Sequence, residues 1–247
     1  RFTTDPINVS KTMFTALDLV SIQAQTRVRG KKVRRNQTIS GINDYSAEND
    51  EINVEDVYVW SAERDEFDAT PNPQILEEIK FDRGWSDAEL NRELFVRRVI
   101  LAFLIRNGLN TYAEVAATLQ AFINDPETVL ALIANGHYVD TLPNLRKMES
   151  ISIDIDPEKE EMVPRPDPDE ELLSYTTGIM ERAEQDLFPE YRGDLDGDVA
   201  EVLADILPDH LVARRGDSIR LDIDPDERGV PDAWGDSAAD AKVGGDD

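Results

Sequence analysis

Apolar residues favour a two-residue alternation in the first third of the chain and a helical spacing after it, and this change of period divides the sequence. Leu17, Leu19 and Val20 begin a β-favouring stretch that runs through Ile22 to Val28. Gly30 supplies a turn, and residues 31–39 return as a second strand. Ile52, Val54, Val57 and Val59 predict a third strand over 52–60, with Asn43-Asp44 and the polar run 46–50 as the turn before it. Asp65-Glu66-Phe67-Asp68 fits a short pairing strand, after which Pro71 and Pro73 break the pattern.

Helical punctuation then takes over. Ser86-Asp87-Ala88-Glu89 is a capping-box pattern, followed by Leu90, Leu94, Leu101 and Leu104 on one expected face and ended by Asn107-Gly108. Thr111-Tyr112-Ala113-Glu114 repeats the box ahead of the stripe Val115, Leu119, Phe122 and Ile123. Asp125-Pro126 opens a third helix that Asn135-Gly136 closes. Three helices with two short connections are expected to form a compact bundle. Residues 137–167, with Pro143, Pro157, Pro164 and Pro166 amid charges, read as an extended linker. A helix is expected from Asp167-Pro168 through Leu187, a shorter one from Asp198, and disorder over the last fifteen or so residues. The domain expectation is therefore strands over 1–74, a helical subdomain over 75–136, an acidic linker over 137–167, a small helical extension over 168–230 and a tail over 231–247.

Charge sharpens this division. The 247 residues carry 52 acidic against 26 basic side chains, a net −26. Residues 1–136 hold 21 acidic and 15 basic groups, whereas 137–247 hold 31 and 11, so the second part carries most of the excess. Asp exceeds Glu and Arg exceeds Lys, a bias that predicts a salt-adapted cytosol, where a Debye length of about 3 Å at 1 M screens self-repulsion; acidic tails alone are the other reading. Such a charge disfavours a nucleic-acid partner. The absence of cysteine excludes disulfides, thiolate metal sites and cysteine nucleophiles. The longest apolar run, Val99 to Ile105, falls far short of the roughly twenty residues a spanning helix needs. The chain opens on Arg1 rather than Met, so a piece of a longer or processed polypeptide is expected.

Complete catalytic motifs are missing from the sequence. Gly30-Lys31-Lys32 lacks both the earlier glycine and the Ser/Thr of a phosphate loop, and there is no G-x-G-x-x-G. Asp194-Leu195-Asp196-Gly197-Asp198 has Val199 where a calcium loop needs glycine, and Asp205 where it needs glutamate. His137 and His210 are too far apart for a paired metal motif. What stands out is a basic hairpin in an anionic chain, Arg27, Arg29, Lys31, Lys32, Arg34 and Arg35. Three readings stay open for it: neutralisation by the protein's own carboxylates and salt, a contact for an acidic neighbouring subunit or a nucleotide phosphate, and nucleic acid.

Thr4-Asp5-Pro6-Ile7-Asn8-Val9 and Met13-Phe14-Thr15-Ala16-Leu17-Asp18-Leu19-Val20 carry a resemblance that continues through the basic hairpin. It resumes at Asn107-Gly108-Leu109, Thr111-Tyr112-Ala113-Glu114-Val115 and Phe122-Ile123-Asn124-Asp125-Pro126-Glu127. Over roughly residues 1–135 the chain resembles the C-terminal portion of archaeal type II/IV secretion ATPases, the archaellum-motor and pilus-assembly family. The resemblance implies an α/β fragment: terminal strands and hairpin of a RecA-like core, then a three-helix subdomain and an acidic, partly helical extension. It also implies a cytoplasmic homo-hexamer at a membrane platform protein, with ATP and Mg²⁺ bound by motifs that precede this segment and no cofactor, metal or catalytic residue within it. The hairpin cations would then face an adjoining subunit. The alternative is a non-catalytic acidic interaction module that docks a partner through its bundle.

Overall fold

In a computed structural model the described residues are 3, 5–28, 30–148, 167–195, 197–216 and 218–221. The part of the expected linker beyond Met148 that runs to residue 166 and the expected tail over 231–247 lie outside them, as does Arg29. The chain divides into two compact units, Arg1–Leu94 and Phe95–Asp247.

The first unit is an antiparallel meander in the order β1-β2-β3-β4, formed by β1 (Leu19–Val28), β2 (Lys31–Ser46), β3 (Glu51–Ser61) and β4 (Glu66–Ala69). Asn43-Asp44, expected as a turn, lies inside β2, where the register slips between Ile42 and Asp44. A bulge absorbs polar residues that break the alternation without ending the strand. A 3₁₀ helix, Lys11–Ala16, precedes the sheet. Helix α1 (Gln74–Arg83) follows it, unanticipated because its cap is non-local: the Gln74 N–H donates to the Glu55 carboxylate of β3 at 2.7 Å. Val33, Ile42, Val57 and Ile75 are buried, whereas Leu19, Ile22, Val54, Tyr58, Val59 and Phe67 stay substantially exposed.

The two units divide within α2 (Asp87–Arg106), and the second continues through α3 (Tyr112–Asn124), α4 (Pro126–Ala134) and α5 (Tyr138–Met148). Both expected capping boxes form: the Glu89 N–H donates to Ser86 Oγ and the Ser86 N–H to Glu89 Oε2, and Thr111 and Glu114 repeat the exchange. Asp125 caps α4 by accepting from the Thr128 N–H, with Pro126 in the first turn. The stretch expected to be extended after Gly136 instead begins with α5, which runs through Pro143. An interior proline costs about 3 kcal/mol. Burial of Tyr138, Thr141 and Leu142 offsets that cost, and Thr141 Oγ1 donates to the His137 carbonyl at 2.9 Å.

Beyond residue 167 come α6 (Glu170–Asp186), the 3₁₀ turn Phe188–Tyr191, β5 (Asp194–Leu195), α7 (Gly197–Ile206), β6 (Val212–Arg215) and β7 (Ser218–Leu221). Asp169 rather than Asp167 caps α6, accepting from the Leu172 N–H at 2.9 Å. Strands β6 and β7 were not predicted; with β5 they make a three-stranded antiparallel sheet in the order β5-β7-β6. This region shares a single core with the bundle. Ala183, Leu187, Phe188, Leu203, Ile219 and Leu221 are buried in the same cluster as Val99, Leu130, Leu132 and Tyr138.

Polar bonds join the same two parts. Buried Asn135, at the end of α4, donates at 2.8 Å to both the Ala131 and Tyr191 carbonyls. Arg192 donates to the Ala134 carbonyl at 2.7 Å, pairs bidentately with Glu184 and lies over the Phe188 ring. Arg182 of α6 sits 4.4 Å above the Phe95 ring of α2.

Candidate functional site

The basic hairpin is built on β1 and β2. Val28 pairs with Lys31, so two residues separate the strands, and Gly30 holds φ +81°, a conformation that favours glycine. In the ladder beyond the turn, Arg27 faces Lys32, Thr26 faces Val33, Gln25 faces Arg34 and Ala24 faces Arg35. Side chains alternate between faces, so Arg27, Lys32 and Arg34 share one face while Val33 and Arg35 lie on the other.

The two faces differ in electrostatics. Arg27, Lys32 and Arg34 are exposed, and among the described residues none forms an ion pair; Arg27 donates only to the Gly30 carbonyl, at 3.3 Å. Like charges directly opposite each other oppose strand pairing. Arg35 is half-buried and its guanidinium grips Asp65 through two 2.8 Å bonds, Nε to Oδ1 and Nη2 to Oδ2. Trp60 Nε1 donates to the same Asp65 Oδ1 at 2.9 Å. The bonded carboxylate holds the Arg35 guanidinium above its ordinary pKa, against the opposing effect of burial. Arg35 is thereby an internal tie within the sheet, whereas the other face offers three cations to an outside anion. Lys31 occupies the first position of β2.

Asp65 was not singled out from the sequence as Arg35's partner. Its one local signal is its place in the turn Ala62-Glu63-Arg64-Asp65, where it takes φ +59°, a conformation Asp tolerates better than most residues. The pairing itself spans thirty positions, and no periodicity encodes that distance.

Gly30-Lys31-Lys32 sits at a hairpin turn rather than at a strand-to-helix junction, so no helix N-terminus stands behind it to receive phosphate. Among the described residues no three His, Asp or Glu side chains converge as a metal site. His137 is buried in the bundle at the start of α5. No helix among the described residues is long and apolar enough to cross a membrane.

Similarity to known proteins covers part of the chain. An uncharacterized protein of Methanocaldococcus jannaschii, MJ1287, is 30% identical over 110 residues, covering 44% of this chain and 41% of that protein. Two further proteins of the same organism, MJ0781 and MJ0900, are 29% and 32% identical over 133 and 126 residues. Those matches cover 54% and 49% of this chain but only 18% and 23% of the relatives, so the matched region is less than half of each. Residues 63–150 match the family described as PilB3-like, C-terminal. The segment from β4 through α5 is therefore similar to the C-terminal region of PilB3-like proteins, which supports the resemblance to the C-terminal portion of pilus-assembly ATPases.

Proposed function

We propose that the chain is the C-terminal part of a hexameric ATPase that powers assembly of type IV pilus-like filaments or protein secretion. The observation that carries this reading is the PilB3-like match over residues 63–150. In this reading the meander closes a RecA-like core, and ATP and Mg²⁺ are held by residues of the longer polypeptide outside these 247. The assembly works in a high-salt cytosol against a membrane platform protein. The exposed cations Arg27, Lys32 and Arg34 face carboxylates of an adjoining subunit, where the arginine fork gives bidentate contacts that lysine cannot. Arg29 and Lys31, their neighbours in the sequence, are further candidates for that contact.

Two measurements test it. Titration of the 247-residue chain with Mg-ATP gives no micromolar binding, whereas the longer polypeptide binds; micromolar binding by the chain alone overturns the reading. Charge reversal at Arg27 and Arg34 in the longer polypeptide weakens hexamer formation, most visibly at low salt. Arg35 is unsuited to that test, since its reversal would break the tie to Asp65.

The alternative, an interaction module that docks a partner through its bundle, is favoured by one feature of α3. Leu119 and Ile123, expected in the core stripe, are exposed, the latter by 72%, on a helix whose one charged side chain is Glu114. Retention of partner binding by a chain that never assembles with an ATPase core would select this second reading.

A further inference from the structure

Three like charges crowd one face of the basic hairpin. Arg27 of β1 lies directly opposite Lys32 of β2, and Arg34 follows two residues on, opposite Gln25. Residues two apart on a strand stand about 7 Å from each other, and directly opposed residues stand closer. Arg35, Arg64, Arg182 and Arg192 each pair with a carboxylate of the chain itself. Arg27, Lys32 and Arg34 are exposed, and among the described residues none is ion-paired, in a chain with 52 acidic side chains. Their mutual repulsion calls for an outside anion. A flat strand face lacks the convergent backbone N–H groups that cradle a phosphate; it presents its charges in a row, which suits an extended acidic peptide.

The chain carries a segment with that spacing. Directly after Leu221, which is buried in the core of the second unit, residues 222–227 read Asp-Ile-Asp-Pro-Asp-Glu, four carboxylates without a cation. In extended backbone Asp222, Asp224 and Asp226 fall on one side at intervals of about 7 Å, the interval that separates Lys32 from Arg34 along β2. Pro225 favours extended backbone at Asp224. Residues 222–247 together hold nine acidic and two basic side chains, so the whole tail is drawn to a cationic surface. Isolated surface pairs contribute little and salt screens them, whereas a matched row of direct contacts depends less on long-range attraction.

We propose that the exposed cationic face of the β1–β2 hairpin binds residues 222–227 of a second copy of this chain, an assignment that rests on the reading of the hairpin as a subunit contact and names the carboxylates it meets. Two of the alternating carboxylates meet Lys32 and Arg34, and Arg27, beside Lys32, adds a second cation to the carboxylate there. Ile223 and Pro225 face away from the strand, so the contact needs no apolar pocket.

Fluorescence anisotropy tests it, with a dye-labelled peptide of residues 222–247 titrated with the full 247-residue chain at about 0.15 M salt. The peptide binds saturably, and Arg27→Gln with Arg34→Gln in the chain weakens binding by about tenfold. Asp222→Asn with Asp224→Asn in the peptide has the same effect and leaves the protein unaltered, which separates lost contacts from a folding defect. Reordering Ile223-Asp224-Pro225 to Asp-Pro-Ile in the peptide keeps its composition and net charge but removes every two-residue spacing of carboxylates within 222–227, and costs about fivefold or more. Four results overturn the proposal: no saturable binding, equal binding by the doubly substituted chain, equal binding of the Asn-substituted peptide, or equal binding of the reordered peptide. The assay contains no nucleotide and no assembled ring, so failure of the longer polypeptide to bind ATP removes the proposed function and leaves peptide binding standing. Conversely, absent peptide binding alongside hexamers that still respond to charge reversal at Arg27 and Arg34 removes the tail as partner and leaves the proposed function intact.

Discussion

Tyr138 places a phenol in the core of the helical unit. Its ring is almost wholly buried and meets Phe103 edge-on at 5.5 Å between centroids, and among the described residues its hydroxyl has no hydrogen-bond partner. The nearby Thr118 hydroxyl donates to the Glu114 carbonyl at 2.8 Å instead. Burial pushes the phenol up to about 12, with the Thr118 side chain acting in the opposite direction. In the unfolded chain the same group titrates near its ordinary value of about 10. Below about pH 10 both states are protonated and the contribution is fully present. Between about 10 and 12 the unfolded chain releases the proton first, so stability falls. The gap corresponds to about 2.7 kcal/mol, most of it lost by the upper end of that window. Tyr138→Phe removes the titration and keeps the ring. At pH 7 the variant is unchanged or up to about 1 kcal/mol more stable, because no hydrogen bond is lost and a buried hydroxyl is removed. Denaturant unfolding followed by far-UV circular dichroism at a series of pH values and constant ionic strength provides the comparison. The difference between variant and parent isolates Tyr138 from the other tyrosines and lysines that titrate in the same range. Equal losses for the two proteins between pH 10 and 12 would refute the reasoning.

Three further outcomes follow from the same contacts. Asn135→Ala removes a donor from the buried Tyr191 carbonyl and destabilises the helical unit by about 2 kcal/mol in chemical denaturation; a loss below a few tenths would show that the tie between α4 and the 188–191 turn is not structural. Asp65→Asn keeps an oxygen for Trp60 but removes the charge opposite Arg35, so tryptophan fluorescence reports a change around Trp60 and stability falls by about 1 kcal/mol. The Glu89 carboxylate, held below the ordinary value first by the Ser86 backbone N–H and then by its hydroxyl, supports the start of α2 above the unfolded pKa. That support is lost as pH falls through the depressed folded value; Glu89→Gln flattens the acid limb of the helical signal, and an unchanged limb would show that the box is energetically silent.

Signals acting over three or four residues were legible in the sequence. The Ser86–Glu89 and Thr111–Glu114 boxes, the Asp125-Pro126 start and the Gly30 turn each carry donor, acceptor and backbone preference within one short string, and all form where that chemistry placed them. Tertiary structure decided what depends on distant partners. Helix α1 takes its cap from Glu55, and α5 passes through Pro143 because its apolar side chains are buried. Leu101, Leu119 and Ile123 keep helical spacing yet face outward, since periodicity defines a stripe but not which neighbours cover it. The six cations were equally prominent as a string; only the strand register separated Arg27, Lys32 and Arg34 on an exposed face from Arg35, and only the fold brought Asp65 to Arg35. A one-dimensional pattern records local geometry and the parity of strands. Pairing across thirty or more positions depends on which surfaces meet, a property of the folded chain.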